Sequence, residues 1–380
     1  MSDVKKSKMK ACILSMQRVE NIGSLLQAYS MKQMLEKLGC EVSFIDIQPK
    51  EEDDRLLSGY REHYAHECAW KQGFISKIKK LDRYTINRIR IKKRSNDQIK
   101  LFECFRRDVL GITGKSNQNQ YDICVIGSDE VFNCNCASNW GFTSQLFGNV
   151  EQARKVITYA ASCGSTTYEK TPIAVREKIA ETFKGVSALS VRDENTYNFT
   201  SNLTDKEVYC HMDPVVVGDF DEEIAECNLP QELTGKYCVV YSYYNRFHDP
   251  KEIQGIKQFC SEKKLELVTV GAPQMWIKKH LVLTPFQALK VFQHADFIIT
   301  DTFHGTIFSS KYAKKVAVMT RESNKNKLLD LIKKLEMEMH LITSLEQLSE
   351  VYKIEIDRES VEKISSMERE KTIQYLKENL

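Results

Sequence analysis

Residues Ala295 to Met319 read ADFIITDTFHGTIFSSKYAKKVAVM. The run has the pattern strand, sharp turn, short helix, strand. Phe297 to Thr300 are apolar, β-branched or aromatic, as a strand buried on both faces requires, and Val316 to Met319 repeat that composition after a gap of helical length. Between them stand Asp301, Thr302, His304 and Gly305. In a βαβ unit these residues lie at the carboxyl end of the strand, where the next helix aims its free N–H groups outward. A carboxylate, a hydroxyl and an imidazole at that place make an anion site with a proton carrier in it. The plain alternatives are that Asp301 or Thr302 only caps the helix and that His304 only packs.

Outward from this unit the same alternation recurs. Lys10 to Ser15 reads as a strand, Gly23 to Leu38 as an amphipathic helix ending at Gly39, and Val42 to Ile47 as the next strand. The intervening loop, QRVENIG, is long enough to form a mouth over the strand end. Further strands are expected at Asp122–Ile126, Val156–Ala160, Ala188–Val191 and Val208–Cys210. Polar or small residues follow the first three: Gly127, Ser128 and Asp129, then Ser162 to Ser165, then Arg192 and Asp193. Parallel sheets place binding groups at such ends. A second set follows near Cys238–Tyr243, Leu267–Val270, Phe297–Thr300 and Val316–Met319, with helices near Pro250–Lys263 and Pro285–His294. The expected fold is α/β, two Rossmann-like domains facing one another across a cleft. Residues 1–215 would form the first domain, with a basic helical insert near 51–119, and 216–356 the second. The hinge falls around Asp213 to Asp219, where Pro214 disfavours helix at Asp213. Residues 357–380 read as a last helix packing back on the first domain.

With 380 residues, 42% hydrophobic and 28% charged, the chain can bury two ordinary cores. A formal charge of +3 and the lack of any helix-turn-helix, C2H2 or RNP-like pattern argue against nucleic acid as a partner. No segment approaches the roughly 20 apolar residues of a membrane-spanning helix, and a cytoplasmic location is expected. Twelve cysteines include no CxxC pair, and Cys12, Cys124, Cys210 and Cys238 fall in strand-like runs, which points to buried thiols. Cys134 and Cys136, with Cys163, are a weak metal candidate, and no metal or other cofactor is expected. One region stands apart. From Lys71 to Arg107 thirteen Lys or Arg face only Asp82, Asp97 and Glu103, a local net of +10 that leaves the rest of the chain at −7. Phe74, Ile78, Leu81 and Ile89 fall near helical spacing, giving either a basic amphipathic helix for an anionic membrane or a solvated helix packed on its own domain.

The order of motifs resembles the polysaccharide pyruvyl transferase family. The resemblance rests on ENIGSLLQAYSMKQML (Glu20–Leu35), YDICVIGSDEVFN (Tyr121–Asn133), YAASCG (Tyr159–Gly164), SVRDE (Ser190–Glu194), DPV (Asp213–Val215) and ITDTFHGTIFS (Ile299–Ser309). It covers most of the chain to about Leu335, outside the basic insert between Glu51 and Asn119. It implies a fold similar to the two-domain GT-B glycosyltransferases. It also implies transfer of the carboxyvinyl group of phosphoenolpyruvate to two hydroxyls of a sugar, which makes a pyruvate ketal for a surface polysaccharide. The acceptor would be a sugar or a lipid-linked oligosaccharide, with peripheral contact at the inner face of the membrane. Such a donor carries a phosphate and a carboxylate and calls for Arg and helix N-termini, while protonation at C3 calls for an acid and a base. Arg192 is the donor-binding candidate and His304, with Asp301, the catalytic one. Asn21, Gly23, Ser128, Asp129, Thr302 and Gly305 would line the mouth. Arg192 could instead make a surface ion pair with Asp193 or Glu194. The chain departs from the family at Thr302, where a TDRLHG pattern has Arg; either Lys311, Arg246 or Arg321 would then reach the anion, or the donor is bound differently. A nucleotide-sugar glycosyltransferase and a non-catalytic binding protein are the alternatives.

Overall fold

A computed structural model describes residues 8–48, 83–134, 142–322 and 324–380, with residues 83–90 described through their backbone alone. Two parallel sheets carry the molecule. The first orders its strands β2-β1-β3-β4, with β1 at Lys10–Leu14, β2 at Glu41–Phe44, β3 at Tyr121–Ile126 and β4 at Ala153–Thr158. A pair formed by β5 (Leu189–Val191) and β6 (Val208–Cys210) continues this sheet through the parallel bridges Ile157 to Ala188 and Ala161 to Val191. The second sheet is ordered β12-β11-β10-β7-β8-β9. Its strands are β7 (Tyr237–Tyr241), β8 (Glu266–Val270), β9 (Lys279–Leu281), β10 (Phe297–Thr300), β11 (Val316–Met319) and β12 (Leu341–Ile342). The expected α/β class with two Rossmann-like units is therefore what the chain forms. Strands β9 and β12, of three and two residues, are not among the strands expected from the sequence.

The boundaries follow local chemistry. Asn21, extended at φ −144°, accepts from the Gly23 N–H and starts the Ile22–Lys37 helix. Asp213 and Asp249 do the same ahead of Pro214 and Pro250, and Thr284 with Gln287 closes a capping box around Pro285–His294. The Ile22–Lys37 helix departs from the expected amphipathic pattern. Ile22, Leu25, Ala28, Met31 and Leu35 are buried, but so are Ser24, Gln27 and Ser30. Its polar stripe does not meet water because it faces the rest of the chain: Ser30 donates to the Pro214 carbonyl at 2.7 Å and Gln27 to Ser15 Oγ at 2.7 Å.

A single apolar cluster contains residues of both sheets, among them Ile13, Val125, Val239, Val268 and Ile298. The last helix, Arg358–Asn379, straddles them as well. Tyr375 donates to the Thr158 carbonyl at 2.8 Å on the first sheet, and Arg358 donates to the Tyr312 carbonyl at 2.5 Å beside the second. Cys12, Cys124 and Cys238 are buried as expected, but Cys210 is exposed because β6 lies at the sheet edge. Among the described residues no cluster of three metal-ligating side chains occurs; Cys136 lies outside them.

Phe74, Ile78 and Leu81 of the basic insert, and the Ile89 side chain, also lie outside the described residues. The described part begins with the Arg83–Phe105 helix. It docks through Gln98, whose side-chain amide donates to the Leu283 carbonyl at 2.7 Å and accepts from the Leu283 N–H at 3.0 Å, and through Phe102 and Phe105 in the core.

Candidate functional site

Each sheet has a point where the strand order reverses, between β1 and β3 in the first and between β7 and β10 in the second. Loops leaving the carboxyl ends on either side of such a point diverge and leave a crevice. Here both crevices converge. The loop after β1 brings Asn21, the loop after β7 brings Ser242 and Tyr243, and the turn after β10 brings Thr302 and His304, and all five line one cavity of about 200 Å³. Ser95, Gln98, Ile99 and Phe102 of the insert helix close a further side.

His304 is held at the first turn of the Phe303–Tyr312 helix, whose N-cap is Thr302: its hydroxyl accepts from the Gly305 N–H at 3.0 Å. Nε2 of His304 is buried, has no hydrogen-bond partner, and stands 3.6 Å from Asp213 Oδ2. Asp213 is fully enclosed. Its Oδ2 accepts from Arg192 Nη1 at 2.7 Å and shares the Ser128 hydroxyl proton, at 3.1 Å, with the Ala160 carbonyl at 2.8 Å; Oδ1 accepts from the Val215 N–H at 3.0 Å. Burial acts most strongly and would push this carboxyl up, but His304, Arg192 and the Val215 N–H together hold it well below the usual carboxylate range. Arg192 is itself buried, with its guanidinium 4.2 Å from the centre of the Phe303 ring and its Nε without a partner. Two of the described chain's few buried orphan polar atoms thus belong to neighbours on one carboxylate. Such atoms cost free energy unless something else pairs with them.

Most of the residues expected from sequence gather here. Asn21, Thr302 and His304 line the cavity, Gly23 packs on the His304 ring, and Arg192 and Ser128 meet at Asp213. Asp129, at φ 74°, accepts from Ser24 at 2.6 Å and so fixes the first helix to the end of β3. Gly305 has no room for a side chain, since a Cβ would lie 2.2 Å from Thr300 Oγ1. Two expected residues go elsewhere. Asp301 is spent on Ser242 at 2.5 Å and Arg321 at 2.9 Å, with Arg246 at 3.4 Å, so the carboxylate beside His304 is Asp213 instead. Lys311 donates to the carbonyls of Val215, Val216 and Gly218 and lines a different cavity. Burial, then Arg369, pushes its ammonium down to about 8. Arg321 is taken by Asp301 and, at 2.6 and 3.2 Å, by Glu252. Of the three cations expected to replace the missing arginine, all are thus bound to groups of the protein.

Sequence reasoning also passed over Arg106, counted among the basic residues of the insert. It is buried and donates to the carbonyls of Gln17, Arg18 and Val19, with Glu20 at 3.1 Å, so it fixes the loop that forms the mouth. The pair Lys327 and Glu130 joins the two sheets' loops; burial would raise the Glu130 carboxyl, but Lys327 and Asn133 bring it down to about 2.

The model of the family described as polysaccharide pyruvyl transferase matches residues 21–323. The chain belongs to that family. The matched span contains every residue of the His304 cluster, from Gly23 through Ser128, Arg192 and Asp213 to His304. No curated protein matches the chain. Among solved structures it is similar to the glycosyltransferase SnogD from Streptomyces nogalater, at 11% identity over 97% of this chain and 99% of that one, with a TM-score of 0.45. It is similar as well to the UDP-GlcNAc 2-epimerase from Neisseria meningitidis bound to UDP-GlcNAc, at 11% identity over 98% and 100%, with a TM-score of 0.43. A third is the S. aureus MnaA–UDP complex, at 12% identity over 96% and 91%, with a TM-score of 0.46.

Proposed function

We propose that this pyruvyl transferase family member moves the carboxyvinyl group of phosphoenolpyruvate onto two hydroxyls of a saccharide, forming a pyruvate ketal and releasing phosphate. The observation that carries this is the imidazole of His304, set between a buried carboxylate and a small cavity. The Asp213 side of the ring is Nε2, and Nδ1 lies toward Gly23 and the N-terminus of the first helix. A carboxylate that orients one ring nitrogen leaves the other to move a proton. The 3.6 Å separation is longer than a hydrogen bond, as catalytic contacts often are before substrate binds.

The chemistry asks for one proton at C3 of the donor. That step makes C2 electrophilic; one sugar hydroxyl then forms a C–O bond at C2 and phosphate leaves with the C2–O bond electrons. The second hydroxyl closes the ketal. Two hydroxyl protons are released in all, one replacing the proton given to C3 and one leaving on phosphate. His304 can deliver and recover the first of these. The donor's charges face two helix N-termini, those of Ile22–Lys37 and Phe303–Tyr312, since Asn21 and Thr302 line the same cavity. Its volume, about 200 Å³, is below the roughly 300–1,000 Å³ typical of drug-sized ligands, which favours a three-carbon donor with part of one sugar over a whole nucleotide sugar.

The test is to incubate the protein with phosphoenolpyruvate and a panel of saccharides, following phosphate and the ketal methyl group by NMR. Saccharide-dependent phosphate release with a new ketal methyl signal is expected. Transfer from a UDP-sugar with phosphoenolpyruvate untouched would overturn the proposal.

A further inference from the structure

Nine large apolar side chains are exposed among the described residues, and two of them, Ile99 and Tyr243, line the His304 cavity. Neither is loose. Ile99 follows Gln98, whose amide is locked to both backbone groups of Leu283, on a helix anchored further along by Phe102 and Phe105. Tyr243 has its carbonyl bonded by the Gln274 side chain at 2.8 Å and by the Arg246 N–H at 3.1 Å, and the Arg246 guanidinium lies 5.2 Å from its ring centre. Apolar side chains carried on anchored backbone but left 42% and 44% exposed, in a cavity that also holds His304, mark a surface for a ligand with an apolar face.

Phosphoenolpyruvate has no such face. A pyranose does: its ring C–H groups form an apolar patch, and its hydroxyls point outward to polar groups, which Glu20, Asn21, Ser95 and Ser242 supply around the same cavity. We infer that Tyr243 and Ile99 form the subsite for the ring of the acceptor sugar and hold its diol toward His304. This rests on the pyruvyl-transfer proposal above. It also assigns the insert a role in specificity, because Ile99 belongs to the insert helix and Tyr243 to the second sheet's loops. Acceptor choice is then set by how far Ile99 projects toward the ring, and donor binding is left to the helix N-termini.

The probes are the methyl glycosides of glucose, galactose and mannose, phosphoenolpyruvate, and UDP, each titrated by saturation-transfer NMR. The proteins are the full-length wild type, Tyr243→Ala, Tyr243→Phe and Ile99→Ala. Both side chains are exposed, so melting temperatures should match. At least one glycoside should bind the wild type, roughly tenfold more weakly to Tyr243→Ala and several-fold more weakly to Ile99→Ala, as loss of a ring contact implies, with Tyr243→Phe near wild type. Phosphoenolpyruvate should bind all four proteins alike. Undiminished glycoside binding by Tyr243→Ala, no glycoside binding by the wild type, or loss of UDP binding alone would each overturn the sugar subsite. Glycoside binding that depends on Tyr243 in a protein that releases no phosphate would instead refute pyruvyl transfer and leave the subsite standing.

Discussion

Gly23 and His304 share one space: a Cβ placed on Gly23 would fall 2.2 Å from both Cγ and Nδ1 of the imidazole, far inside contact distance. The first turn of one helix therefore presses on the first turn of another, 281 residues on in sequence, through a glycine that needs no unusual backbone angle. The glycine is there for closeness. Alanine at this position should push the ring off Asp213. A displacement of about 1 Å at a reacting group can cost on the order of 10²-fold in rate, whereas helix propensity favours Ala over Gly by about 1 kcal/mol. Gly23→Ala should thus lose turnover by about one to two orders of magnitude, with a melting temperature changed by only a few degrees. Steady-state kinetics beside a thermal melt decides it, and an unchanged kcat would show that the ring position does not matter.

If His304 carries the proton, His304→Ala should lower kcat by about 10² to 10⁴ and weaken phosphoenolpyruvate binding much less. Asp213→Asn should act in the same direction through the ring's orientation, and it should also cost stability, because Arg192 would then be buried opposite a neutral amide. Calorimetric donor titration and phosphate release on the two variants separate these effects. Full turnover by His304→Ala per folded molecule would remove the imidazole from the mechanism.

What was legible in the sequence follows the range of the forces involved. The β10 to β11 unit could be read residue by residue because strands buried on both faces write unbroken apolar runs, and Phe297–Thr300 and Val316–Met319 are wholly buried. Local capping could be read too, as at Thr302. Asp213 was hidden because its partners Arg192, Ser128 and His304 lie 21 to 91 residues away and only the meeting of the two sheets brings them together. Lys327 and Glu130, 197 residues apart, left no local trace at all. The Lys311 misassignment had a signal that could have prevented it. Seven residues along a helix is about 10 Å, so Lys311 had to end at the opposite end of its helix from His304.

Thr302 is not simply an arginine lost. It is buried and bonds the Gly305 N–H, so the helix that carries His304 depends on it. Thr302→Arg removes this cap and should destabilise the protein by about 1 kcal/mol or more, within the 0.5–2 kcal/mol range of N-cap losses, while Thr302→Ser keeps the cap and should be nearly neutral. Urea midpoints of the two variants against wild type test this. Equal midpoints for Arg and Ser would mean the cap contributes nothing here. A tighter hold on phosphoenolpyruvate by Thr302→Arg would show that the site still accepts the family's residue at this position.

Acid stability should report on His211. Its Nδ1 lies 2.8 Å from Ser190 Oγ and its ring centre 4.6 Å from that of Tyr375, under the last helix. Burial, and after it the charge of Lys371, lowers its pKa from 6.5 to about 4. A folded-state pKa below the unfolded one means that the unfolded chain takes up the proton first as pH falls. Stability is then fully present above about 6.5, falls by up to roughly 1.4 kcal/mol per pH unit below it, and levels off once the folded imidazole also protonates near 4. Asp213 and Glu130, whose carboxyls are held low, lose their contribution only below the ordinary carboxylate range, so between pH 6.5 and 4.5 the loss comes from the buried histidines, His211 together with His280 and His340, whose pKa values burial also lowers, and the His211 variant takes out its own share. His211→Gln keeps a polar partner for Ser190 without the titration, and its urea midpoint should fall less steeply across that window than the wild type's. Parallel curves for the two proteins would assign the acid loss to other groups.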